Sequence, residues 1–511
     1  MLDRRTFLGA GGASLVMPSV LRAQINADPF TLGIASGSPR DDSVILWTRL
    51  APDPLKGGGM PAGDVPVRLR VWADDAGKRL VRELDVLAVA ADAHSVHTKI
   101  DGLQPGRDYW YRFNVGGHET ALGRTRTSNR NDPRARLAVA SCQAWQSGYF
   151  AAYADMAEWA PDCVVHVGDY IYEGGVGALG PRDVEVGGEK LRFTNVRLHN
   201  SAEIVTLWDY RNRYALYKSD PSLQAAHAAS PWIVAMDDHE IDNNWASDTP
   251  QDPWAQTPLE WQVRRIAALK AYYEHMPIEK PPVIAGLAAS LQMHGVYRFG
   301  PAQVHLLDTR QFRSDQVCGE GFPGQRPCPD ADRAERTMLG QAQEAWLYDT
   351  LKRSDARFNV LASQTWLTPY RYNKAPEPAA VNFDSWDGYG PARRRLYEVL
   401  ASGVSNPVAI TGDWHCAAAS TLHLDPFDAK SKRVGHEFSG TSIASECPWA
   451  GAMERSRADN PHVHHYNGRQ RGYCKFDVDA RNWTTQFRVV ENPQDPRSAV
   501  STDVEIRTAD L

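Results

Sequence analysis

Two patterns of apolar and polar residues divide the chain. Between residues 30 and 127, apolar positions alternate with polar ones in the short runs FTLGIASGSP, SVILWTRL, VPVRLRVWAD, VRELDVLAV, HSVHTKIDGL and DYWYRFNVG, with Gly, Pro and Asp at the joints. A period of two broken by turn residues predicts half-buried strands in a β-sandwich of immunoglobulin or fibronectin type III kind. The stretch TRTSNRNDPRAR then reads as a linker. From about residue 135 the runs become continuously apolar and alternate with helical segments: RLAVASCQ, CVVHVGDY, WIVAMDDHE, VHLLDTRQ, NVLASQTW, PVAITGDWH and HEFSGTSI. Such runs suit strands covered on both faces, so an α/β sheet is expected. Most end in polar residues, and in α/β sheets chemistry collects beyond the strand ends.

Composition narrows the class. With 511 residues, 42% of them hydrophobic, and 16 Trp, the chain can bury a sizeable core across two or three domains. Its net charge of −6 is spread evenly, so no nucleic-acid-binding arm or polybasic membrane patch is expected. Residues 1–23 place Arg4 and Arg5 ahead of Phe7, Leu8 and a Gly-diluted apolar stretch, which resembles a twin-arginine export signal. That predicts a periplasmic or secreted protein with the twin-arginine export machinery as a partner. No later run is long and apolar enough to span a bilayer. Seven cysteines leave at least one unpaired; Cys318 with Cys328 is the expected disulfide, and Cys447 with Cys474 a weaker pairing.

The strand ends supply a consistent set of donors. SCQ offers Cys142; GDYIY offers Asp169 and Tyr172; DDHEIDNNW offers Asp237, Asp238, His239, Asn243 and Asn244; GDWH offers Asp413 and His415. Thiolate and phenolate favour a Lewis-acidic ion such as Fe³⁺, while carboxylate and amide oxygens suit a hard cation such as Ca²⁺. An Asp between two such ions can bridge them, the role expected of Asp169. Each residue alone has a plainer reading as a turn, a buried thiol or a hydrogen-bonded structural histidine. Four such ends in one domain outweigh it.

The motifs SCQ, GDYIYE, DDHE-x-DNNW, LDTRQFR, SQTW, WDGY and GDWH, in that order after a β-rich region, resemble the PhoD-type alkaline phosphatases, part of the metallophosphoesterase group that includes purple acid phosphatases. The resemblance spans nearly the whole chain. It implies a four-layer α/β/β/α sandwich over residues 135–500 behind an N-terminal β-sandwich over 28–128. It also implies an Fe³⁺ held by Cys142, Asp169, Tyr172 and either Asp413 or His415, with Ca²⁺ beside it on Asp238 and Asn243. His239 would contact the phosphate or protonate the leaving group, although Asp-Asp stands where relatives carry Gly-Asn. Gln364 falls where relatives outside this family carry a metal-binding His. The reaction implied is in-line attack on a phosphate ester by a metal-activated hydroxide.

Arg310 and Arg313 are candidates to hold charge on the phosphoryl oxygens, and Trp386 and Asp387 to line the substrate mouth. Without an amphipathic final helix to cap the site, an open pocket hydrolysing both phosphate monoesters and diesters is expected. Two other readings remain: a phosphodiesterase acting on lipid or cell-wall polymer, and a non-catalytic exported binding protein. The run PHVHHYN, with His462, His464 and His465, reads as a solvated turn.

Overall fold

All seven continuous apolar runs become strands in the computed structural model, which describes residues 25–186, 188–319, 324–372, 378–428 and 430–511. They divide between two sheets. Arg134–Ala140, Cys163–His166 and Pro231–Val234 run parallel within a nine-stranded sheet. Ala302–Leu306, Phe358–Ala362, Pro407–Thr411 and Arg433–Ser439 run parallel within a seven-stranded one.

The reason for the continuous runs is visible in the packing. Every residue of Cys163–His166, Pro231–Val234, Phe358–Ala362 and Pro407–Thr411 is buried. Val165 and Trp232 of the first sheet share one core with Val304, Val360 and Ile410 of the second. Leu361 and Ala409 point the other way, onto Leu347 and Leu351 of the helix Gln341–Arg353 and Leu396 and Leu400 of the helix Gly390–Ala401. Each such Val, Leu or Ile contributes about 1.5–3 kcal/mol when fully buried.

The β-rich first region forms two sheets around one core. Val65–Trp72, Leu80–Ala88, Asp108–Val115, His118–Glu119 and Gly123–Arg126 make a five-stranded sheet whose inward residues alternate with outward ones. Its Val67, Leu69, Tyr111 and Phe113 meet Ile34, Val44 and Leu46. The strands carrying those last residues, Ile34–Gly37 and Val44–Arg49, extend the nine-stranded sheet together with Ser95–Ile100, because Ile34–Gly37 pairs in parallel with Pro231–Val234. At the opposite edge, Val500–Arg507 pairs antiparallel with Trp483–Val490.

Cys318 and Cys328 form the expected disulfide. The Cys447–Cys474 pairing is corrected: both thiols are free and buried, Cys474 in the core between the sheets and Cys447 in a separate cluster with Trp366 and Cys416. The solvated-turn reading of residues 461–467 is also corrected. Val463–Asn467 is a strand pairing with Ala417–His423, and His462 is buried ahead of it. Among the described residues no helix is long and apolar enough to cross a membrane. The expected export signal lies outside the described residues.

Candidate metal centre

The parallel strands of both sheets end on one edge, and each sheet sends a Gly-Asp turn into it. Cys163–His166 leads to Gly168-Asp169 and Pro407–Thr411 to Gly412-Asp413. Asp169 and Asp413 both adopt left-handed backbone, at φ +57° and +62°. Cys142 and His415, at +56° and +51°, do the same. Non-glycine residues held there cost about 1–3 kcal/mol each and persist where the surroundings over-determine them, which is typical of functional sites. The glycines are required by close approach. A Cβ on Gly168 would stand 2.3 Å from Asp237 Cβ, and one on Gly412 would stand 2.4 Å from Ser141 Oγ.

These turns bring three overlapping groups of donors together. Cys142, Asp169 and His415 form one; Asp169, Asp238 and His239 a second; Asp237, Asp238 and Asp413 a third, each with its ligand atoms within 4.8 Å of one another. Asp169 joins the first two groups and Asp238 the last two. The Tyr172 hydroxyl belongs with the first: it lies 3.0 Å from Asp169 Oδ2, 3.2 Å from His415 Nε2 and 2.7 Å from Ser445 Oγ. Of the two residues in GDWH, His415 therefore faces Cys142 and Tyr172, while Asp413 faces the acidic pair Asp237 and Asp238.

The surrounding hydrogen bonds orient these donors. His415 Nδ1 donates to the Glu446 carbonyl at 2.5 Å, which turns its Nε2 lone pair into the site. His239 Nδ1 lies 2.7 Å from Glu173 Oε2 and its ring stacks on Tyr172 at 4.1 Å between centroids. The fully buried Glu240 carboxylate accepts the N–H groups of Asp169 at 3.1 Å, Asp237 at 2.8 Å and Tyr170, so it sets the two acidic turns against each other. Arg213 donates to the carbonyls of Tyr172 and Gly174 and anchors the loop between them.

The electrostatics call for cations. Burial, reinforced by Asp169, pushes the Cys142 thiol and the Tyr172 hydroxyl well above their ordinary pKa values. Burial and neighbouring carboxylates do the same to Asp169 and Asp413, and raise Asp237 to about 7 even with Arg310 beside it. Burial also opposes ionisation of Asp238, but Arg310, His239 and the Asn244 N–H together hold it below the usual carboxylate range. Asp169 Oδ1, Asp237 Oδ2 and Asp238 Oδ1 are buried without a hydrogen-bond partner. Buried oxygens of this kind are expensive unless a cation or proton satisfies them. A thiol, a phenol and an imidazole on one side and carboxylates on the other are a donor set that fits metal ions.

Other expected site residues lie elsewhere. Arg310 and Arg313 are fully buried behind the acidic cluster, where Asp384 pairs with both, at 2.8 Å and 2.6 Å, and Asp237 with Arg310. Their guanidiniums brace the carboxylates from the protein side. The expectation that Trp386 and Asp387 line the mouth is corrected: Trp386 is 1% exposed and donates to Ser363, and Asp387 is buried against Arg393 and the Tyr370 N–H. Gln364 has its amide committed to Thr309 and Leu307, which ties two strand ends together. Asn243 sits at the rim, its N–H donating to Glu173 at 3.0 Å. Sequence reasoning missed Glu173, Glu240, Asp384 and Ser445; the first two directly follow chosen motif residues, in GDYIYE and DDHE, and the other two lie outside every strand end considered.

The chain matches known proteins over nearly its whole length. Residues 137–487 match the PhoD-like phosphatase family and residues 16–129 its N-terminal domain. The chain is 42% identical to alkaline phosphatase D of Bacillus subtilis (strain 168), over 98% of this chain and 86% of that one. A solved structure of PhoD superposes with a TM-score of 0.85 at 40% identity, covering 94% of this chain and 90% of the other. The chain therefore belongs to the PhoD-like phosphatase family and is a phosphoric ester hydrolase.

Proposed function

We propose that this hydrolase is exported, holds Fe³⁺ and Ca²⁺, and acts on both phosphate monoesters and diesters. The observation that carries the metal assignment is the chain of three donor groups linked through Asp169 and Asp238. Cys142, Asp169, Tyr172 and His415 would hold Fe³⁺, because a thiolate and a phenolate together favour a strongly Lewis-acidic ion, and burial leaves both groups protonated until such an ion binds. Asp237, Asp238 and Asp413, with Asn243 at the rim, would serve Ca²⁺ as hard oxygen donors, and Asp169 would bridge. Bound cations would neutralise phosphoryl charge and acidify water for attack on phosphorus.

The chain's own residues supply the rest. Glu173 accepts from His239 Nδ1 and, with Asp238 and Asp169, outweighs burial to raise the imidazole pKa well above its ordinary value. His239 Nε2, the ring nitrogen not engaged by Glu173, would hold the proton that the departing alkoxide needs. Arg310 and Arg313 together favour the ionised form of Asp384, and Arg310 holds Asp237 in place, both from the protein side of the cluster.

The core shared by the two sheets, with helices packed outside the second, supports the four-layer α/β/β/α arrangement over residues 135–500. The two-sheet core of the first region supports an immunoglobulin- or fibronectin-like unit over 28–128. Arg4 and Arg5 support twin-arginine export to the periplasm or beyond. The enzymatic test is turnover of an aryl phosphate monoester and a bis-aryl diester by chelated and reconstituted protein. The reading expects both rates to vanish on chelation and return with iron and calcium. Undiminished hydrolysis after the metals are removed would refute it.

A further inference from the structure

The segment that follows Arg433–Ser439 crosses from the seven-stranded sheet to Cys142, just past the end of Arg134–Ala140 in the other sheet. Gly440 N–H donates to the Thr411 carbonyl at 2.9 Å and Ile443 N–H to the Ser141 carbonyl at 3.0 Å. The N–H groups of Ala444 and Ser445 then both donate to the Cys142 carbonyl, at 3.3 Å and 3.1 Å. The buried Arg471 guanidinium fixes the same segment against His415. Its Nη1 lies 2.8 Å from the His415 carbonyl, 2.9 Å from Ser442 Oγ and 2.5 Å from the Ser445 carbonyl. Ser445 is thereby held, fully buried, where the two sheets' strand ends meet.

Three groups surround the Ser445 hydroxyl. Ala144 N–H donates to it at 3.1 Å, the Cys142 carbonyl lies 2.7 Å away, and the Tyr172 hydroxyl also lies 2.7 Å away. A serine hydroxyl has one proton to give. Here that proton can go to Cys142 or to Tyr172. The other neighbours of the Tyr172 oxygen have none to offer it. Asp169 Oδ2, at 3.0 Å, is a carboxylate acceptor, and His415 Nε2, at 3.2 Å, presents a lone pair because its Nδ1 donates to the Glu446 carbonyl. While Tyr172 keeps its own proton it can serve any of these acceptors. Once Tyr172 is a metal ligand its oxygen carries no proton, and Ser445 is the one hydrogen-bond donor to it among the described residues. The Cys142 carbonyl stays satisfied when the hydroxyl turns away, because the Ala444 and Ser445 N–H groups still serve it.

We propose, on the basis that Tyr172 serves Fe³⁺, that Ser445 is a positioning residue for that ligand: its hydroxyl turns from the Cys142 carbonyl to the ligated Tyr172 oxygen, orients it and withdraws electron density from it. A hydrogen bond to an ionised oxygen is about twice as strong as one between neutral groups, which favours the turned hydroxyl. Partners behind a ligand tune the metal through the ligand they hold. A phenolate that donates less leaves the ion a stronger Lewis acid, the property on which attack at phosphorus draws.

The test compares the purified, metal-loaded protein with Ser445→Ala, with iron quantified in both. Ser445→Ala should retain its iron, move the phenolate-to-Fe³⁺ charge-transfer band to longer wavelength and shift the iron reduction potential to a more negative value, because a phenolate without its hydrogen bond is the stronger donor. In the wild type, the resonance Raman bands of the ligated tyrosine should shift on transfer to D₂O, since the Ser445 proton exchanges; in Ser445→Ala they should not. The wild-type measurement stays decisive even if the variant does not fold. An unmoved band and potential in iron-loaded Ser445→Ala, loss of iron from it, or wild-type tyrosine bands indifferent to D₂O would overturn the role of Ser445 and leave the Fe³⁺ assignment standing. A wild type without iron, or with iron but no phenolate band, would overturn both.

Discussion

The Tyr172 hydroxyl lies 3.2 Å from His415 Nε2. Tyr172 follows the Gly-Asp turn of the nine-stranded sheet and His415 the equivalent turn of the seven-stranded one, so this contact marks where two separately built strand ends become one site. Asp169 Oδ2, 3.0 Å from the same hydroxyl, completes the junction.

Removing the carboxylate behind His239 should damage turnover without dismantling the metal cluster. Glu173→Gln is expected to lower kcat by about 10–100-fold, the usual effect of losing a residue that orients a site group. Glu173 raises the pKa of His239, so its neutralisation should also move the alkaline limb of the pH profile to lower pH. A measured pH–rate profile with an unmoved limb would remove His239 as the proton donor.

Asp413→Asn should have opposite effects on the two forms of the protein. Without metal it removes a buried carboxyl whose ionisation is opposed by burial, Asp237 and Asp238, so the variant should melt higher than wild type. With metal it should lose most of the stabilisation that binding confers, which is about 2.7 kcal/mol at a free metal concentration of about 100 times Kd. Differential scanning calorimetry with and without chelator reads both signs.

The metal-free chain should be destabilised as pH rises. Burial raises Glu240 from 4.5 to about 8 and Asp237 from 3.8 to about 7. A carboxyl raised in the folded state contributes stability that is complete below its unfolded pKa and lost as pH climbs through the folded value. The melting temperature of chelated protein should therefore fall between about pH 4 and pH 8. Cations that keep these carboxylates ionised reverse the sign, so the loaded protein should instead weaken as pH drops. Melting curves across that range distinguish the two.

Gly168→Ala should be disruptive despite its size. The backbone at φ +111° disfavours any side chain, and the new Cβ would meet Asp237 Cβ at 2.3 Å and its N at 2.6 Å. A destabilisation of more than about 1 kcal/mol is expected, together with weakened metal retention because Asp237 must shift. Urea unfolding and elemental analysis test the two parts.

Much of this was legible in the sequence because strands covered on both faces carry continuous apolar runs, and each such run announces the polar residues at its end. Cys142, Asp169, Tyr172, Asp238, Asp413 and His415 all follow from that logic. Arg310 did not, because its role depends on partners 73 and 74 residues away, Asp237 and Asp384, which fix it behind the cluster rather than facing substrate. Trp386 and Asp387 failed for a similar reason: nothing local distinguishes a Trp at a mouth from one packed on Ser363. Glu240 was overlooked because a carboxylate that binds three backbone N–H groups looks, in sequence, like one more acidic ligand. The histidines after Pro461 read as a turn because the strand Val463–Asn467 is held by pairing with the distant Ala417–His423 rather than by any periodicity of its own.

The central claim is that Tyr172 stands beside Asp169 and His415 to hold a metal. The direct measurement is the visible absorption spectrum of the purified protein beside Tyr172→Phe, with iron and calcium quantified in both. The account predicts a phenolate-to-Fe³⁺ charge-transfer band with stoichiometric iron and calcium in the first, and a shifted or absent band in the second. A folded, active, colourless protein without iron, or a band indifferent to Tyr172→Phe, would contradict it.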